Sequence, residues 1–264
     1  DPTNPSVRLG IPIKLQSHDN VGGFFQTGSL MENSLNVSSS SEKAAVNFTV
    51  SNSSNDGIIP NQSVNRTALG LGINSTLDNG LYIQGSVNYV NTVQKSPPSG
   101  ASYNNDYGNG SGGSVYARLF YLPRNFNLNG YPYTNPVTGG NTFYRALDNP
   151  RWLVENNQYT SDVNRVFANL TLSYDLTDWL TLMARGGFNQ YTDQQSDFRE
   201  KGGNAFNTGS YGEWVIGNRE IDMNFLLQID KELTPDLRLT GTLGHNVNER
   251  SGNFAYGYGQ TLIV

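Results

Sequence analysis

The chain contains no cysteine. It therefore forms neither a disulfide framework nor a thiolate metal centre. Histidine is nearly absent as well, with only His18 and His245 in 264 residues. Charged residues make up 15%, the net charge is -5, and no basic stripe interrupts the sequence. Nucleic acid is thus not an expected partner. No window approaches the ~18 consecutive apolar residues of a membrane-crossing helix. The opening DPTNPSVRLG has neither a charged n-region nor an apolar h-region. It reads either as a chain whose signal was removed or as an internal piece.

What is present points elsewhere. Asparagine (34), serine (24) and glycine (29) are abundant, and hydrophobic residues make up only 36%. Such a polar balance alone suggests disorder. Disordered chains also lack aromatics, however, and this one has 15 Tyr, 12 Phe and 3 Trp. Polar, turn-rich and aromatic-rich composition predicts many short strands.

Period-two alternation supports that reading. Leu69, Leu71 and Ile73 alternate with Ala68, Gly70, Gly72 and Asn74. Leu81, Ile83, Val87 and Tyr89 oppose Tyr82, Gln84, Ser86 and Asn88. Val166, Ala168, Leu170, Leu172 and Tyr174 oppose Phe167, Asn169, Thr171 and Ser173. Similar runs cover Leu180–Asn189, Ile221–Asp230 and Leu237–Gly244, with weaker ones at Ser34–Val37 and Ala44–Ser51. Eight strands are predicted. Their connections alternate in length. Ser39–Lys43, Leu77–Gly80, Asp175–Asp178 and Lys231–Asp236 are tight, whereas Ser53–Ser63, Ser96–Ser161 and Gln195–Gly212 are longer.

In an antiparallel up-and-down sheet, every second connection lies at the same end. All tight turns therefore share one end and all longer loops the other. Outer-membrane barrels show that asymmetry, with short periplasmic turns and long extracellular loops. A barrel strand needs only alternate residues apolar, which reconciles membrane insertion with low hydrophobicity. Tyr174 and Trp179 flank one tight turn, where an aromatic girdle would sit. Gln84, Asn169, Arg185 and Asn189 then face the lumen. A soluble β-sandwich also alternates, and an autonomous eight-stranded membrane barrel or a soluble sugar-binding β-module remain alternatives.

No HExxH, GxSxG or P-loop pattern occurs, and carboxylate spacing selects no glycosidase pair. No catalytic residue, metal site or cofactor is expected. His245 continues the face of Leu239 and Leu243, near the long-loop end of its strand. Asn104–Gly110 places oxygen ligands beside glycines but lacks the full EF-hand pattern, and reads as a surface loop. Asn-x-Ser/Thr triplets such as Asn47-Phe48-Thr49 are expected by chance in so much Asn and Ser. The Ser96–Ser161 loop is too long for a plain connector. Val115, Leu119, Phe120 and Leu122 predict a short helix within Ser114–Leu122. Tyr116, Arg118, Arg124, Tyr131, Tyr133, Tyr144 and Trp152 surround it. Such rings and guanidinium groups either contact a sugar or peptide, or fold the loop onto itself.

An ordered series of short strings carries a family resemblance. It runs through Phe24-Phe25-Gln26-Thr27-Gly28, Asn33-Ser34, Glu42-Lys43, Ser51-Asn52 and Asp56-Gly57-Ile58-Ile59-Pro60-Asn61. It continues through Gly85–Thr92, Leu119–Asn125, Asp148–Trp152, Asn164-Arg165-Val166 and Tyr174–Leu180. From about Phe24 to Leu243 the sequence resembles the SusC-type TonB-dependent transporters of the Bacteroidetes outer membrane. The resemblance implies a 22-stranded barrel around an N-terminal plug. It also implies a SusD-like lipoprotein lid, energy from the TonB complex, contact with membrane lipid and lipopolysaccharide, and import of glycans, oligopeptides or similar solutes. No plug segment and no aromatic-terminated last strand appears in 1–264, so the chain is expected to be an internal part of the barrel domain, with TonB contacted through the absent N-terminal part.

Overall fold

A computed structural model of the chain describes residues 16–97, 114–144, 147–204 and 207–262. Its elements, in chain order, are β1 (Ser29–Ser40), β2 (Ala44–Asp56), β3 (Ser63–Thr76), β4 (Tyr82–Ser96), α1 (Val115–Phe120), α2 (Pro150–Asn156), β5 (Asn157–Thr177), β6 (Leu180–Arg199), β7 (Ser210–Thr234) and β8 (Leu237–Gln260). The strands form one sheet in the order β1-β2-β3-β4-β5-β6-β7-β8. Every neighbouring pair is antiparallel. The fold is all-β and up-and-down, as the alternation predicts.

The tight turns do share one end, and contacts tie them together. Lys43 of the β1–β2 turn pairs with Asp78 of the β3–β4 turn. The backbone N–H of Thr76 donates to the Lys43 carbonyl at 2.9 Å. Further along, Asp230 N–H donates to Trp179 O at 2.9 Å, and the Lys231 ammonium sits 4.4 Å from the Trp179 ring centroid. Gly80 adopts φ 86°, the left-handed conformation that suits glycine in its turn.

Several strands are longer than the sequence predicts. β5 begins at Asn157 rather than near Val166, β6 runs on to Arg199, β7 begins at Ser210, and β8 continues to Gln260. Mostly polar residues on both faces interrupt the alternation at Asn157–Arg165, Asp193–Arg199 and Asn248–Gly252, so periodicity has little to report there. Ladder hydrogen bonds continue regardless of side chain. His245 is consequently not near a strand end. It sits within β8, paired with Phe225.

The sheet has no core of its own. Leu71, Val87, Leu170 and Phe225 are each about half exposed. Among the described residues, the buried apolar cluster sits in the segments between strands: Phe24, Ile59, Val115, Leu119, Leu128, Trp152, Leu153 and Val154. Helix α1 occupies the predicted place. Ser114 caps it by accepting from Ala117 N–H. Helix α2 was not expected from the sequence, although Asn149 as N-cap followed by Pro150 is a legible start signal. Asn20 reaches from the N-terminal segment to Phe126 O (2.7 Å) and Leu128 N (3.0 Å), clamping it to the β4–β5 loop. Asp148 Oδ1 accepts from Asn204 N–H at 2.6 Å, joining the β6–β7 loop to the same layer.

Candidate functional site

Strand pairing carries the two faces of the sheet across in register, and over the central stretch one face is predominantly apolar and the other predominantly polar. On one face, Val50, Leu69, Tyr89 and Val166 form a row, as do Val46, Ile73, Gly85, Leu170, Gly186, Met223 and Val247. This apolar face continues through Phe188, Ile221, Phe225, Leu227 and Leu243. Along β5 its apolar stretch, Val166–Tyr174, matches the length of a membrane-crossing barrel strand. Towards the long loops it stops abruptly. Tyr89 Oη donates to Asn164 Oδ1 at 2.7 Å, and Asn91 Nδ2 donates to Asp162 Oδ1 at 2.7 Å. Arg219 and Glu249 form an ion pair at the same border of β7 and β8. A furrow of about 540 Å³ crosses the apolar face, floored by Gly85 and Gly186 and walled by Leu71, Leu170, Phe188 and Met223.

The opposite face is polar, and it contains all four residues predicted to line a lumen. Gln84, Thr171, Arg185, Asn224 and Asn246 form one cross-strand row. Ser86, Asn169, Gly187, Asp222 and Asn248 form the next, and Asn88, Phe167, Asn189, Glu220 and Arg250 the third. Asn169 Nδ2 donates to Ser86 Oγ at 2.8 Å, and Arg165 Nε donates to Asn189 Oδ1 at 2.8 Å. Asp222 accepts from Asn224, Asn246 and Asn248, while Glu220 accepts from Asn248 and Arg250. Asp222 thus rests on three amide donors, and the Glu220 charge is paired with Arg250.

Nearer the long loops, the polar face changes character. Trp214 pairs with Tyr256 and Gly212 with Tyr258. The Trp214 and Tyr256 rings stack at 5.2 Å, and those of Tyr256 and Tyr258 at 6.3 Å. Gly212 leaves room for the indole, since a Cβ there would lie 2.9 Å from Trp214 Cη2. Gln195 shares the Trp214 row, and Asp197 and Tyr159 share the Gly212 row. Burial, with the Asp193 and Asp197 carboxylates nearby, pushes the Tyr159 phenol above its ordinary range. The sequence reading did not single out this aromatic ladder. Its signal was the alternation Phe254, Tyr256, Tyr258, separated from the rest of β8 by a stretch polar on both faces.

The predicted loop residues divide into groups. Trp152 and Arg118 are buried, Trp152 at 1% exposure and with its Nε1–H donated to Gly139 O at 3.3 Å. They hold the loop layer together and present no surface to a solute. Tyr116 stacks on Phe120 at 5.9 Å. Tyr131 and Tyr144 pack on Phe126 at 5.0 and 4.6 Å. Tyr133 lies beneath the Arg151 guanidinium at 4.4 Å, and these two residues with Tyr131 and Asn129 line a cleft of about 470 Å³. Arg124 is exposed, and its carbonyl accepts from His18 N–H at 2.8 Å. The Asn104–Gly110 stretch lies outside the described residues.

No protein-family model matches the sequence, and no curated protein is similar to it. Solved structures are similar in fold. A chain of the RagAB peptide importer in its 'closed-closed' state superposes with a TM-score of 0.75 at 14% identity, over 93% of this chain. The 'open-open' state gives 0.74 at 16% identity over 94%. A further structure of the RagAB peptide transporter gives 0.73 at 16%. In each case this chain spans 27% of the solved chain's length. At these identities the likeness is one of fold: the eight strands match a stretch of barrel wall.

Proposed function

We propose that the chain is part of the barrel domain of a TonB-dependent importer of the SusC type in a bacterial outer membrane. The observation that carries this reading is the division of one open sheet into a predominantly apolar and a predominantly polar face. The apolar face, bounded by Tyr89–Asn164 at one border and Trp179 at the other, meets lipid. The polar face, with Gln84, Asn169, Arg185 and Asn189, lines an aqueous channel. Fold likeness to the RagAB importer supports the assignment. On this reading the tight turns are periplasmic and the loop layer is extracellular. There the Arg124 side chain and the Tyr131–Tyr133 cleft meet solute or a SusD-like lipoprotein lid. Lipopolysaccharide headgroups meet the polar border at Asn91, Asp162 and Arg219. TonB acts through a plug that belongs to the rest of the protein. The cargo is a nutrient too large for porins, and the chain's role is passage, not catalysis.

Two alternative architectures fit less well. An autonomous eight-stranded barrel requires β1 to pair with β8, yet the sheet is open, with β1 and β8 at its edges. A sandwich requires a second sheet against the first, and the described strands form one. The test is to delete the full-length gene and restore it with or without an intact TonB system. Uptake of the cognate nutrient should depend on both. Uptake that survives loss of TonB would exclude the proposed mechanism.

A further inference from the structure

Four arginines of the chain pair with a carboxylate: Arg199 with Asp197, Arg219 with Glu249, Arg238 with Asp230 and Arg250 with Glu220. Arg151 does not. Among the described residues, no carboxylate lies within ion-pair distance of it. Its guanidinium donates once, from Nη1 to Asn129 O at 3.1 Å, and lies over the Tyr133 ring at 4.4 Å. The Nε and Nη2 groups have no protein acceptor among the described residues. Arg66, Arg124 and Arg185 also lack a paired carboxylate, but they stand exposed on open surface, whereas Arg151 is half-buried and lines a cleft.

Arg151 is also held from both sides. It is the second residue of α2, and its backbone N–H donates to the Asn149 cap at 2.9 Å. Trp152, Leu153 and Val154, which follow, are buried. Tyr133 beneath it packs against the same buried cluster, and the Tyr133 carbonyl accepts from Thr142 N–H at 3.0 Å. A guanidinium fixed in this way has little rotamer freedom left to lose on binding. The cleft it lines with Tyr131, Pro132 and Tyr133 measures about 470 Å³, the size that takes a small organic group. Beside it, the Tyr131 Oη is buried without a hydrogen-bond partner, a donor that folded proteins seldom leave unused.

We propose that this cleft receives a carboxylate borne by the solute. The Arg151 fork holds it through two parallel hydrogen bonds, and Tyr131 and Tyr133 wall the chain that carries it. A planar fork matches a planar carboxylate, and one guanidinium neutralises one charge. A doubly charged phosphate calls for a second cation, and the other residues lining the cleft are uncharged. The inference rests on the importer reading. It adds the charge that the solute bears and the residue that receives it.

The experiment titrates the full-length transporter in detergent with two matched pairs. One is N-acetyl-tetra-alanine and its C-terminal amide; the other is trigalacturonate and its methyl ester. The pairs distinguish the carboxylate of a peptide end from that of a sugar acid. In at least one pair the acid should bind about tenfold more tightly than its neutral partner. Arg151→Gln should erase that difference, while Arg238→Gln, at the tight-turn end, should keep it. Heat-modifiable mobility confirms that each variant is folded, and the acid-to-neutral comparison in the parent needs no variant. Equal binding within both pairs, binding of neither acid, or an acid preference that survives Arg151→Gln would each overturn the proposal. If no acid binds and Arg151→Gln instead releases a co-purifying surface protein, the cleft is a protein-docking site and the solute carboxylate is excluded. The importer reading fails separately: an acid binds through Arg151, but cells show no TonB-dependent uptake of it.

Discussion

Asn169 and Ser86 are joined side chain to side chain at 2.8 Å across the β4–β5 ladder, on the face opposite Leu170. One residue along β5 thus separates a hydrogen-bonded polar surface from the middle of the apolar belt. In the full-length barrel, Leu170→Arg should destabilise by roughly 2–4 kcal/mol, because it sets a charge against hydrocarbon near the midplane. Asn169→Arg should insert nearly normally. Denaturant unfolding of both in lipid vesicles decides. A larger loss for Asn169→Arg reverses inside and outside, and two harmless variants remove lipid from this strand altogether.

The orientation of the sheet is open to chemical labelling, since the chain brings no thiol of its own. Val137 is 89% exposed in the loop layer, and Asp178 lies in a tight turn at the other end. In an otherwise cysteine-free transporter, Val137→Cys should react with a membrane-impermeant maleimide on intact cells. Asp178→Cys should react only after the outer membrane is opened. The reverse order inverts the topology.

Two glycines should respond differently to the same small change. Gly202 has φ 91°, and a Cβ there would lie 2.6 Å from the Gly140 backbone. Gly202→Ala should therefore force the β4–β5 and β6–β7 loops apart, at a cost of at least about 1–3 kcal/mol. Gly186 has nothing within 4 Å of an added Cβ. Gly186→Ala should stay within about 0.5 kcal/mol of the parent. Limited proteolysis of the loop layer reads the first and thermal unfolding the second. Equal behaviour would mean that the loop contact is absent in the membrane.

The Tyr159 phenol is held above its ordinary value of 10.0 by burial and by Asp193 and Asp197. It lies on the polar part of β5, before the apolar belt. The folded state then holds its proton more tightly than the unfolded chain does. The stabilisation is complete below pH 10 and is lost as pH rises through the higher folded value. Alkaline unfolding of the parent should accordingly steepen above pH 10, and Tyr159→Phe should remove that part of the slope. Superimposable pH profiles for the two would discount the local field.

The sequence disclosed the sheet wherever its two faces differ, because a period of two exists only when one side is apolar and the other polar. Leu69–Ile73 and Val166–Tyr174 are legible for that reason. Asn157–Arg165 and Asn248–Gly252 are equally good strands, yet their side chains are mostly polar on both faces, and only backbone pairing defines them. Helix α1 announced itself through Val115, Leu119 and Leu122. Helix α2 did not, because its buried Trp152, Leu153 and Val154 form too short a run for a helical period, leaving the Asn149-Pro150 cap as the sole sign. The burial of Arg118 was illegible for a different cause: a guanidinium is ordinarily a surface group, and no local pattern marks this one as buried. Likewise the Trp214–Tyr256 stack needed the β7–β8 register, which alternation alone does not fix.

Strands that pair only with their neighbours in sequence have a kinetic consequence. Hairpins β1–β2, β3–β4, β5–β6 and β7–β8 each close through a tight turn, with little chain entropy to overcome. The β4–β5 seam is different, because Ser96 and Tyr159 meet only after the whole intervening loop is spanned. Closure entropy grows with the length of free chain, so this seam is the slow step of zipping. Prior collapse of the loop around Trp152 and Leu119 draws those ends together and shortens the free span. The buried cluster above the sheet thereby acts as a splint for this seam, where two half-sheets become one.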